Sequence, residues 1–269
     1  MWDFLSGTPQ CHVSGPDILA TMMNSFSSVD MNHPERRLYG ALDIPMSKNG
    51  LALCGYQASP YDTGSKFLVA EKPWTTALTP SGAITHVHTD YYGRQQYVIH
   101  LFGSKLWLLW PPTEKNLGIY SRFHTQEVKE NLTARCIDEM EGMQALYVTD
   151  EQSFVLKPNT LHACMCVATS AHAGTWFWNL DDHTDSFRMI EWGLMWLKSR
   201  RSTDAPISDY NGELETIGAE IFAWRCLLKN NPRLPDVDRI VAMLDSKYQE
   251  VRKLFKQGRK RKKPEDSQD

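Results

Sequence analysis

ITHVHTDYYGRQQYVIHLFGSKLWLLWPP, residues 84–112, sets the pattern for the whole chain. Ile84 to Asp90 reads as one strand and Gln95 to Leu101 as a second. A turn at Gly103 and Ser104 follows, then the apolar run Lys105 to Trp110, which Pro111 and Pro112 stop. Upstream, residues 1–80 carry short apolar runs broken by Gly, Pro, Ser and Asn, with short strands expected at Leu51–Cys54 and Lys66–Ala70. Downstream, Leu132, Cys136, Met140 and Met143 recur at helical steps and predict a helix over 125–143. Strand signals resume at Ala145–Val148, Ser153–Leu156, His162–Val167 and Thr175–Trp178. Beyond residue 182 the period becomes helical. Phe187, Ile190, Leu194 and Leu197 form one stripe. Leu214, Ile217, Ile221, Trp224 and Leu228 form a second, and Val237, Val241, Leu244, Tyr248, Val251 and Phe255 a third. Short strands at close spacing favour a sandwich or barrel over a parallel sheet.

Composition narrows the class. The chain has 269 residues, with nine Trp, ten Tyr and ten Phe, too much apolar surface for a disordered chain. Its longest apolar runs fall far short of the roughly 20 residues that cross a bilayer, so no membrane association is expected. Met1 to Gln10 lacks a basic segment followed by an apolar one, so no secretory signal is expected. Six Cys without a Cys-x-x-Cys pair argue against a zinc ribbon and for free thiols in a reducing compartment. The net charge of −3 hides an asymmetry: eight Lys and Arg lie between Arg252 and Lys263 with no acid among them. Without those eight, 21 basic residues face 32 acidic ones, a formal balance of −11 for the rest of the chain. An acidic body attracts cationic partners. The basic stretch reads as a nuclear-import signal or a weak nucleic-acid contact.

Several familiar sites are absent: no Gly-x-Ser-x-Gly, no phosphate loop, no Gly-x-Gly-x-x-Gly and no His-Glu-x-x-His. What is present is His88-Thr89-Asp90 and, far downstream, His162 after Lys157-Pro158-Asn159-Thr160-Leu161. Side chains two apart on a strand share a face, so His88 and Asp90 can reach one ion. A third ligand from a distant strand, His162, would complete one face of an octahedron. Two His and one carboxylate with three open positions is the pattern of non-haem Fe(II) oxygenases. His86 shares parity with His88, which makes a His-x-His cupin site the rival. That pattern wants a Glu shortly after and none follows, so His86 is read as a supporting or surface residue.

With those residues in view, 75–178 resembles the JmjC family of Fe(II)- and 2-oxoglutarate-dependent oxygenases, its histone-demethylase branch in particular. The resemblance rests on Thr85 three residues before His88, on His88-x-Asp90, and on Gly103-Ser104-Lys105 leading into an apolar strand that ends at Pro111. Pro158 then precedes His162. It implies a mainly β protein with α elements: a double-stranded β-helix (jelly-roll, cupin-like) core with a helical insert and a C-terminal helical layer. It implies a JmjC-like domain over 1–182, a three-helix region over 183–256 and a disordered basic-then-acidic tail over 257–269. Fe(II) would be held by His88, Asp90 and His162. The far carboxylate of 2-oxoglutarate would be met by Lys105 and Thr85. The family's Tyr or Asn on the following strand is replaced here by Gln96 and Val98, of which Gln96 retains hydrogen-bonding capacity. The implied substrate is a protein, foremost methyl-lysine in a basic histone tail, in the nucleus. The alternatives are a protein or RNA hydroxylase and a catalytically inactive chromatin-binding module. Trp107, Trp110, Trp176 and Trp178 are expected in the core and Cys164 and Cys166 as small buried strand residues, while His100, His172 and His183 receive no role.

Overall fold

In the computed structural model, Gln95–Trp110 is a single strand of 16 residues, β7, and Leu161–Asn179 a single strand of 19, β10. The structure describes residues 2–3, 8–9, 39–45, 67–69, 74–90, 92–124, 132–179, 182–200, 211–230 and 235–261. The other described strands are β1 (Trp2–Asp3), β2 (Thr8–Pro9), β3 (Tyr39–Pro45), β4 (Phe67–Val69), β5 (Thr75–Thr79), β6 (Ile84–His88), β8 (Gln144–Val148) and β9 (Ser153–Leu156). The helices are α1 (Glu114–His124), α2 (Leu132–Glu139), α3 (His183–Arg200), α4 (Asn211–Asn230) and α5 (Pro235–Arg261). The strand expected at Leu51–Cys54 lies outside the described residues.

β7 and β10 run antiparallel along their length, from Gln95 opposite Phe177 to Trp110 opposite Leu161. The N-terminal half of β7 is flanked by β9, and its C-terminal half by β8. On the other side, β6 pairs with the first half of β10 and β5 with the second half. Two antiparallel sheets therefore share the same two long strands: β6-β10-β7-β8, and β5-β10-β7-β9 extended beyond β5 by β3, β1 and β2, while β4 also pairs with β10. That is a jelly roll, mainly β, with α1 and α2 inserted between β7 and β8.

The bend that turns one sheet into the other sits at Gly103. Its φ is +76°, a conformation that L side chains rarely adopt. A Cβ there would lie 2.1 Å from the Thr169 carbonyl oxygen. The expected turn at Gly103-Ser104 is thus a kink within one strand, and its hydrogen-bonding partners continue on both sides. On β10 the register shifts at Cys166/Ala168, Ala168/Ala171 and Ala171/His172, opposite the kink. Those shifts join the two strands expected at 162–167 and 175–178 into one. The kink also changes parity. Val98 packs with Trp107, Val148, Leu156 and Cys164 in one buried cluster, so even-numbered residues face inward before Gly103 and odd-numbered ones after it. Gly103→Ala is expected to destabilise the fold by about 3 kcal/mol, from left-handed strain plus the clash with Thr169. Chemical denaturation monitored by tryptophan fluorescence would show it.

α1 is an element the hydrophobic period did not reveal. Its start is a capping signal: the Thr113 hydroxyl accepts from the Asn116 amide at 3.2 Å, and Glu114 sits in the first turn. Asn116 is fully buried, and its side chain donates to the Pro111 and Glu141 carbonyls and accepts from the Glu141 amide. The helix predicted over 125–143 is described only as α2. It ends before Met140, because Gly142 takes φ +73° and the chain turns into β8.

The chain divides into two compact units: Met1–Asp90 with Gln95–Trp178, and Tyr91–Arg94 with Asn179–Asp269. In the second unit, the three predicted helices bury their apolar stripes. Ile190, Leu197, Ile217 and Trp224 are wholly inaccessible, and the Phe187 and Trp224 rings lie 4.7 Å apart. Arg94 reaches α4 and pairs with the buried Glu220 at 2.6 Å. α5 continues through Gln257 to Arg261, so the first part of the expected disordered tail is helical. Arg and Lys are good helix formers, and cations favour a helix C-terminus.

Candidate metal centre

His88 closes β6 and His162 is the second residue of β10, and the two are directly opposite in the sheet. Their ring centroids lie 4.2 Å apart. Asp90 lies just past the strand end, beyond the regular alternation from which its orientation was inferred. Its carboxylate nevertheless meets both rings, Oδ1 at 3.6 Å from His88 Nε2 and Oδ2 at 3.9 Å from His162 Nε2. The three groups could hold a metal ion: one ligand atom from each lies within 4.8 Å of the others.

Both imidazoles are set for that role. His88 Nδ1–H donates to the His86 carbonyl at 2.8 Å, and His162 Nδ1–H donates to the Thr160 carbonyl at 3.0 Å. With Nδ1 committed as donor, each ring presents its Nε2 lone pair to the shared point. Burial, reinforced by the neighbouring His88, pushes the His162 pKa down to about 4, against the opposing effects of Asp90 and the Thr160 carbonyl. His162 is therefore neutral near pH 7, the form that binds a metal. A borderline N/N/O donor set of this kind suits a divalent transition metal, so the residues present fit Fe(II).

The pairing of β6 with β10 slips between His162 and Cys164, so three steps on β6 match two on β10. Thr85 falls opposite Cys164 as His88 falls opposite His162, and paired residues share a face. Thr85 and His88, three apart, thus face inward together, where a regular strand would set them on opposite sides. His86 is exposed and its Nδ1 meets the Thr133 hydroxyl at 3.0 Å, while its carbonyl orients His88.

Deeper in the barrel, Trp107 links the metal centre to a second polar group. Its ring centroid is 5.6 Å from His162 and 5.5 Å from His172. Lys105, 2% exposed, sends Nζ to His172 Nδ1 at 2.9 Å. Among the described residues no carboxylate pairs with this ammonium. Its neighbour Cys164 is no substitute, because burial pushes that thiol up to about 12 despite the lysine. A buried cation without a protein anion is costly and is stabilised by an anionic ligand. The far carboxylate of 2-oxoglutarate is an anion of that kind and would meet Lys105.

Gln96 is buried on the inward face of the other half of β7. Its Nε2 lies 3.0 Å from the place a Cβ on Gly174 would take, and its Oε1 has no hydrogen-bond partner among the described residues. No hydrogen bond among the described residues joins it to Lys105. Trp107, Trp110, Trp176 and Trp178 are buried, as are Cys164 and Cys166. His183 opens α3, edge-on to Phe187. Three residues escaped the sequence reading. His172 and His100 stack inside the barrel, 5.6 Å apart, and Trp107 Nε1–H donates to His100 Nε2. Asn159, with φ +57°, is buried three residues before His162, and neither side-chain polar atom has a hydrogen-bond partner among the described residues. Its place in a Pro-Asn-Thr turn is the signal that could have flagged it.

No family model matches the chain. Over 124 residues, 45% of its length, it is 27% identical to the JmjC domain-containing histone demethylation protein 1 of Kluyveromyces lactis. The match covers 26% of that protein, so the chain spans only a minor part of this relative. Among solved structures, an oxalate oxidase in complex with the substrate analogue glycolate superimposes with a TM-score of 0.28 and 13% identity, over 46% of this chain and 56% of that one. CENP-C of Drosophila melanogaster bound to CAL1 gives 0.28 and 6%, over 39% and 62%. Superpositions this loose carry no argument, and the jelly roll rests on the strand register alone.

Proposed function

We propose that this chain is an Fe(II)- and 2-oxoglutarate-dependent oxygenase of JmjC type that oxidises a C–H bond of a protein, foremost the N-methyl group of methyl-lysine in a basic histone tail. The observation that carries the reading is the His88–Asp90–His162 cluster, with both Nδ1–H groups spent on carbonyls and both Nε2 atoms turned to one point. When bound, Fe(II) and 2-oxoglutarate supply a dioxygen-derived oxidant, with the co-substrate leaving as succinate and CO2. The chain's own part is to hold and orient. His88, Asp90 and His162 would hold the metal, a donor set that would leave positions open for exchangeable ligands. Lys105 neutralises the far carboxylate, with Thr85 as hydroxyl donor on the same interior face and Gln96 as a further polar contact. Trp107, packed against His162, keeps bulk water from the space between the metal centre and Lys105.

Two features favour a cationic protein substrate in the nucleus: the acidic body and the basic stretch 252–263, which suits an import address or a weak nucleic-acid contact. The similarity to a histone demethylation protein points the same way. The test is turnover on a panel of methylated histone peptides with Fe(II) and 2-oxoglutarate, with succinate and formaldehyde measured together. Equal amounts of both are expected. Succinate coupled to a hydroxylated product without formaldehyde would replace demethylation by hydroxylation. Absence of Fe(II) and 2-oxoglutarate binding would overturn the oxygenase itself.

A further inference from the structure

Lys105 carries a buried amino head on a four-carbon stem; burial lowers its pKa, and a bound carboxylate would hold it as the ammonium. What fixes the head is a histidine 67 residues away in sequence. An ammonium can only donate, so His172 Nδ1 is the acceptor and its remaining proton sits on Nε2. The His172 ring is clamped on two sides. It stacks on His100 at an interplanar angle of 20° and stands edge-on to Trp107 at 78°. His100 is held in turn by the Trp107 indole N–H. Burial, then the Lys105 charge, hold His172 well below the ordinary histidine range, so the acceptor lone pair persists near neutral pH.

We infer that His172 is a positioning residue for Lys105, and so determines selectivity for a 2-oxo acid with a second, distal carboxylate over one without. The inference rests on the co-substrate reading above. One of the three ammonium N–H groups is spent on His172, which stops the stem from swinging. The other two stay free to meet both oxygens of the distal carboxylate. Without the acceptor, the head must be ordered at the moment of binding, at the expense of affinity for the dicarboxylate alone.

The experiment is equilibrium binding of 2-oxoglutarate and of 2-oxobutyrate, which shares the chelating end but has no distal carboxylate. Zn(II) replaces iron, so nothing turns over, and binding is followed by tryptophan fluorescence or calorimetry. His172→Phe keeps a ring between His100 and Trp107 but removes the acceptor. It is expected to weaken 2-oxoglutarate binding about five- to tenfold and to leave 2-oxobutyrate within about twofold. His172→Gln, which restores an acceptor, is expected to regain most of the difference, and it carries the test if the Phe variant does not fold. In a Lys105→Met background His172→Phe is expected to add no further loss, because its effect passes through the lysine. Unchanged 2-oxoglutarate affinity, a parallel loss for both acids, or additive losses would each overturn the inference. A wild-type protein that takes up Zn(II) but neither acid would instead sink the co-substrate reading itself.

Discussion

His88→Ala is expected to abolish succinate formation while leaving the melting temperature nearly unchanged. Removing even a supporting hydrogen bond around a metal typically costs 10- to 100-fold in affinity or activity. Loss of a ligand itself should exceed about 100-fold on that scale. The fold should tolerate the change because the His88 side chain is 35% exposed at the end of β6. Surface substitutions of this kind usually stay within about 0.5 kcal/mol. Two measurements separate the outcomes: metal content after dialysis, and 2-oxoglutarate consumption. A variant that keeps both one bound metal and wild-type turnover would remove His88 from the centre.

Glu220→Ala should have the largest effect on stability. The Glu220 side chain is 1% exposed and that of Arg94 is 14% exposed, at 2.6 Å. Taking away the carboxylate breaks this buried pair from one side, and such a loss costs about 3–5 kcal/mol. The measurement is urea denaturation followed by far-ultraviolet circular dichroism, dominated by α3, α4 and α5. Replacing both partners, as in Arg94→Met with Glu220→Leu, should recover most of the loss, because a well-packed apolar pair substitutes for a buried ion pair. If the double variant is as unstable as the single, the pair contributes something other than mutual neutralisation.

Much of the architecture was legible because it was periodic. The stripes through Phe187, Ile217 and Val241 fall on buried helix faces, and the alternation in Ser153–Leu156 falls on β9. The convergence of His88, Asp90 and His162 could be read because His-x-Asp is local and His162 follows a recognisable Pro. What stayed hidden depends on partners far along the chain. Gly103 looks like a turn until β10 is seen to pair on both sides of it. The slip that turns Thr85 inward is a property of two strands together. His172 carries no local signal at all. Its meaning comes from Lys105 and His100, which the register of β7 against β10 sets beside it. α1 is a different case: no strand or helix was expected over 114–124, and its Thr113 cap is seen only in the structure.

The sharing of β7 and β10 by both sheets has a consequence for how this protein acquires its structure. Each contact of that ladder joins residues separated by more than fifty positions in the chain, so closing it demands a large loop-ordering cost before any reward arrives. Neither sheet can mature ahead of the other, because each borrows its central pair from the same ribbon. The barrel should therefore assemble slowly, with pairing of β7 and β10 as the step on which β5, β6, β8 and β9 depend.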